Sequence, residues 1–95
     1  FKHIILNNGA HESVGAQPTV GFNVDFCGIA KACKYKEVFS VSTKEELEKI
    51  IPKFISSTGP SLLEVKIALG SRKNLGRPTI SPIENKIKIM ENIQK

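Results

Sequence analysis

The residue types best suited to chemistry gather near the start of this chain: Asn7-Asn8-Gly9-Ala10-His11-Glu12, then Gln17-Pro18-Thr19. Asn8 offers a neutral amide oxygen, a suitable ligand for a hard cation such as Mg²⁺. Gly9 lets the main chain turn sharply and expose a carbonyl. An Asn-Gly pair is also a common plain turn, so these two residues alone do not decide. Asn7 reads best as a side chain that stitches the loop together. Histidine as a residue type suits proton delivery, so His11 could face a reacting carbonyl or substrate acid groups. Glu12 beside it could face substrate acid groups, although a His-Glu pair on a loop is equally a surface feature. Gln17 is a candidate hydrogen-bond donor to substrate, with structural support of the loop as the competing role. His11, Glu12 and Gln17 are the catalytic candidates.

These residues need a scaffold, and the flanking pattern supplies one. Ile4-Ile5-Leu6 is an apolar run that stops at two asparagines and a glycine. That is the pattern of a buried strand from Lys2 to Leu6 ending at a ligand site. Carboxyl ends of strands are where open α/β sheets hold their ligands. A strand this continuously apolar suits a parallel sheet covered on both faces. Residues 9–21 hold Gly9, Gly15, Gly21 and Pro18, and read as a long functional loop. Asn23 or Asp25 caps a helix to about Cys33, with Phe26, Ile29, Ala30 and Cys33 as its apolar stripe.

A second strand is expected over Lys36–Val41. Ser42 with Glu45, or Thr43 with Glu46, forms a capping box for the next helix. Leu47, Ile50, Ile51 and Phe54 should face the core there. Pro52 inside that pattern predicts a kink or break. Thr58-Gly59-Pro60 is a turn, Leu62–Ile67 a third strand, and Ile83–Ile93 a short final helix with Ile83, Ile87 and Met90 in a stripe. Strands alternating with helices imply a parallel sheet with right-handed crossovers.

The motifs extend beyond the Asn-Asn pair. Asn-Gly-Ala-His-Glu-Ser (8–13), Gly-Ala-Gln-Pro-Thr (15–19) and Leu-Gly-Arg-Pro (75–78) stand in one chain. Together they resemble the thiamine diphosphate-dependent 2-oxoacid decarboxylases, in the branch acting on phosphonopyruvate. The resemblance covers nearly the whole chain. It implies a three-layer α/β/α fold with strands in the order first, third, second, plus a C-terminal helix. It implies thiamine diphosphate and Mg²⁺ as cofactors, with Asn8, Gly9 and Ala10 at the diphosphate. The Asn8 amide and the Ala10 carbonyl would be metal ligands. It further implies that residues 1–95 are the C-terminal part of the cofactor-binding domain. The Gly-Asp-Gly half of the motif and the domain with the activating Glu would fall before Phe1. Related enzymes usually carry Gly where Lys34 stands, closing the first helix in the left-handed conformation. Sulfopyruvate or another 2-oxoacid is the alternative substrate. A non-catalytic α/β interaction domain is the alternative of another class.

Composition is that of a soluble globular domain, with no apolar run of membrane-spanning length. Cys27 and Cys33 would lie on different faces of one helix, which predicts reduced thiols and a cytoplasmic setting. The net charge is +5, and residues 70–95 hold six basic and two acidic side chains of it. Without a dense basic block or interleaved aromatics, that tail reads as a solvated or subunit-contact arm, not a nucleic-acid site. Arg72, Lys73 and Arg77 would suit a phosphonate, but the subunit-contact reading is the better one. The remaining domains of the same enzyme, a second copy of the chain and a small 2-oxoacid are the expected partners. An uncovered sheet edge is what such partners would hide.

Overall fold

The structure, a computed structural model, describes residues 1–95. In chain order the elements are β1 (Lys2–Asn7), β2 (Ala10–His11), β3 (Gln17–Pro18), α1 (Phe26–Ala32), β4 (Glu37–Val41), α2 (Lys44–Ser56), β5 (Ser61–Lys66) and α3 (Pro82–Ile93). A 3₁₀ turn, Glu12–Val14, joins β2 to β3. The main sheet is parallel with β5 in the middle, in the order β1-β5-β4. This is the expected arrangement of first, third and second long strands.

Side chains alternate across a strand, so the two faces of β5 separate cleanly. Leu63 packs with Val41 and with Phe54 of α2, joined by Phe39, Leu47, Ile50 and Val65. Leu62 borders the opposite space, with Phe26 and Ala30 of α1. Helices therefore sit on both faces of the β4–β5 half, giving three layers. β1 departs from expectation. Its apolar run is not covered on both sides, for Ile4 and Leu6 are 55% and 66% exposed. They line an all-apolar groove of about 430 Å³ beside α2, with no helix seated on it.

Local chemistry explains the element ends. Asp25 is the N-cap of α1, its carboxylate accepting from the Gly28 N–H at 2.8 Å. The helix closes with Lys34 at φ 66°, the left-handed conformation expected there. Of its stripe, Ala30 is buried, but Ile29 and Cys33 are exposed because nothing lies over that flank. For α2 the Thr43–Glu46 frame forms the capping box, and the Ser42–Glu45 frame does not. Ser42 instead donates its own N–H to Glu46.

Pro52 neither breaks nor ends α2, which runs on to Ser56. Pro52 and Glu48, one turn apart, are both exposed, so water can take up the carbonyl that proline frees. Phe54 anchors the helix from the buried side. Ile51, expected in the core, is 39% exposed and lines the apolar groove instead. α3 begins at a second capping box, Ser81 with Glu84, and is exposed along its whole length.

Candidate functional site

The stretch expected to be an open loop is a small closed hairpin. β2 and β3 pair antiparallel, Ala10 opposite Pro18 and His11 opposite Gln17. The Thr19 N–H donates to the Gly9 carbonyl at 2.8 Å, continuing the same ladder. Bonded and non-bonded pairs alternate along such a ladder. Gly9–Thr19 is bonded, so Ala10–Pro18 is the open pair between two bonded ones. Pro18, with no N–H, suits only an open position of this kind. The consequence falls on Ala10, whose carbonyl points away from its partner strand.

At the carboxyl end of β1 this hairpin walls a cleft of about 360 Å³. Asn8, Gly9, Ala10 and His11 line one side; Thr19 and Gly21 return along the other. The Asn8 Oδ1 accepts from the Ala10 N–H at 3.1 Å, an Asx turn that leaves the oxygen a second lone pair. Gly9 sits at φ 67°, and a Cβ there would lie 2.5 Å from the Phe22 ring. The conformation strains any residue with a side chain, and the Phe22 ring would have to shift to admit one.

Asn7, immediately below, is 6% exposed and fully committed. Its Nδ2 donates to the Gly21 carbonyl at 2.8 Å and to the Glu64 Oε1 at 2.9 Å. Its Oδ1 accepts from the Gly9 N–H at 3.1 Å. Asn7 stitches the loop, as its position in the sequence suggested.

The other candidates divide. His11 stands at the cleft rim, exposed. Gln17 pairs with His11 across the hairpin but does not border the cleft. The Glu12 carboxylate turns away and accepts from the Gly70 N–H, tying the hairpin to the segment before α3. Arg72, Lys73 and Arg77 are exposed in that segment and do not border the cleft.

Sequence reasoning passed over Glu64. It lies 4% exposed in the central strand, its Oε2 accepting from the Ser40 hydroxyl at 2.9 Å. The signal was there: an acidic residue inside Leu62-Leu63-Glu64-Val65 is out of place unless something holds it. Nearby, Cys27 donates to the Phe39 carbonyl at 3.5 Å. Burial, and then the carboxyl groups of Glu64 and Asp25, push its thiol pKa up, so it stays protonated.

The cleft's oxygens are all neutral, and no group of three His, Cys, Asp or Glu residues could hold a metal ion. An amide oxygen and a free carbonyl are hard donors of the kind Mg²⁺ takes, and Mg²⁺ commonly fills its remaining positions with phosphate oxygens and water. The donor set thus fits a cation that arrives with a diphosphate.

Comparison with known proteins identifies the family. Residues 1–65 match the family described as thiamine pyrophosphate enzyme, C-terminal TPP binding domain. The chain is 35% identical over 82 residues to a phosphonopyruvate decarboxylase of Streptomyces viridochromogenes and 37% identical over 82 to one of Streptomyces hygroscopicus. Those stretches cover 86% of this chain but 21% and 20% of the two relatives, so the chain spans about a fifth of their length. With an Asn-Gly-Ala turn at the end of a parallel strand and this match, the chain belongs to the thiamine pyrophosphate enzymes, in their C-terminal cofactor-binding domain.

Proposed function

We propose that this chain serves a thiamine diphosphate- and Mg²⁺-dependent decarboxylase that converts phosphonopyruvate to phosphonoacetaldehyde and CO₂. The observation that carries the reading is the Asn8–Gly9–Ala10 turn. Its Asn8 and Ala10 line one cleft, and the Ala10 carbonyl is free of the hairpin ladder, which supports reading both oxygens as cation ligands. Thiamine diphosphate, when bound, would supply the electron sink for the bonding pair left on the substrate carbon as CO₂ departs. The chain's own residues do the rest. The Asn8 Oδ1 and the Ala10 carbonyl hold Mg²⁺ against the diphosphate. Gly9 lets the main chain approach it closely.

His11, on the cleft rim, delivers the proton that replaces CO₂, from a ring nitrogen. Gln17 backs His11 across the hairpin. Glu12 holds the segment after Gly70 beside the loop. A substrate with a phosphonate group, the other domains of the same enzyme and a cytoplasmic setting complete the reading. No helix here is long and apolar enough to cross a membrane.

Replacing Asn8 by Ala in the full-length enzyme tests it. Mg²⁺ and cofactor affinity should fall together, by roughly ten- to a hundredfold for loss of one metal ligand's contribution. Unchanged affinity in calorimetry overturns the metal role. Parallel assays on phosphonopyruvate and sulfopyruvate assign the substrate. Turnover of sulfopyruvate alone would move the reading to that acid.

A further inference from the structure

We propose that Glu64 is a positioning residue for the Asn8–Gly9–Ala10 turn, acting through Asn7; this rests on reading that turn as the metal and diphosphate site. A carboxyl group inside an apolar strand is costly unless its oxygens are hydrogen-bonded. Both are. One accepts from the Asn7 amide at 2.9 Å, the other from the Ser40 hydroxyl at 2.9 Å. Strand β5 thereby grips its neighbours on both sides through one side chain.

The Asn7 bond leads to the site. Gly21 and Glu64 offer only acceptors, so they fix which end of the Asn7 amide carries hydrogen. The oxygen is then forced toward Gly9, whose N–H it receives at 3.1 Å. Gly9, at φ 67°, lies between Asn8 and Ala10, which line the cleft beside it. Without Glu64, the Gly21 carbonyl alone holds the Asn7 amide, and its grip on Gly9 loosens. The Ser40 bond leads elsewhere, into β4, which makes it a control within the same carboxyl group.

The test compares Mg²⁺-dependent thiamine diphosphate binding, by calorimetry on the full-length apoenzyme, in four variants. Glu64→Ala should weaken binding by roughly ten- to a hundredfold, while Ser40→Ala changes it by less than about twofold. Glu64→Gln should restore most of the affinity, because its amide can accept from Asn7 and donate to Ser40. Asn8→Ala should weaken binding as well. If Glu64→Ala does not fold, Glu64→Leu keeps the volume, cannot accept from Asn7 and should show the same loss, native affinity there again overturning the proposal.

Native affinity in Glu64→Ala, or an equal loss in Ser40→Ala, overturns the proposal. If Asn8→Ala weakens binding and Glu64→Ala does not, only the positioning role falls. If Asn8→Ala binds normally, the parent reading falls with it.

Discussion

Lys34 occupies the left-handed region at φ 66°, where its Cβ crowds the neighbouring carbonyl. It lies past the end of α1, and the Tyr35 N–H still reaches back to the Ala30 carbonyl at 3.0 Å. Glycine would make the same turn without the clash, a relief of about 1 kcal/mol. Lys34→Gly should therefore raise the melting temperature, by roughly 4–8 °C in a domain of this size. An unchanged or lower value in thermal unfolding would mean that lysine bears no strain there. The change lies away from the cleft, so cofactor affinity should not move. Gly9 is the opposite case. Its left-handed turn is also crowded by Phe22, so its freedom serves the site and not merely a helix end.

Two helix starts carry a pH dependence. The Glu46 carboxyl accepts from the Ser42 N–H at 2.8 Å and the Thr43 N–H at 3.1 Å. Those two bonds, Ser42 first, hold its pKa below the usual glutamate value. Ser81 does the same for Glu84 at the start of α3. A depressed folded value means the stabilisation is present in full above the unfolded pKa. It is lost as pH falls through the lower, folded one. Helix content should thus decline as the pH drops below about 4.3. Glu46→Gln should flatten the α2 part of that decline in circular dichroism. A profile identical to the native one would remove the capping box as its cause. Within α2, Pro52 shows how tertiary packing overrides propensity. The anchor at Phe54 and an exposed outer side let the helix run through it.

As a whole the molecule is spread out. Its accessible surface is 7655 Å², where a compact monomer of its mass would show about 5,400 Å². Its radius of gyration is 16.1 Å, against about 12.4 Å for a compact chain of this length. Only eight of its residues are buried. The surplus is on the scale of a large obligate interface. Exposed apolar side chains include Ile4, Leu6, Ile55 and the α3 stripe.

The site is correspondingly one-sided, with neutral oxygens and no carboxylate for a metal. We therefore expect these ninety-five residues by themselves to bind thiamine diphosphate and Mg²⁺ only weakly and to decarboxylate nothing. Micromolar binding in titration calorimetry would contradict this.

Much of the architecture is local, and so was open to reading from residue order alone. Strand and helix order follows from periodicity, the left-handed Lys34 from a helix end, and the cleft residues from an apolar run meeting Asn-Asn-Gly. Motif context reached the family. What residue order could not reach was long-range. Ser42 and Thr43 both offer a capping box, and only the Thr43 frame forms one. Residues 9–21 carry turn signals that say nothing of a ladder, which needs Gly9 and Thr19 to meet. Glu64 follows Asn7 by 57 positions, and only the parallel pairing of β1 with β5 brings them within hydrogen-bond distance. Side-chain partners so far apart in the chain are set by sheet register, and register is a property of the folded whole.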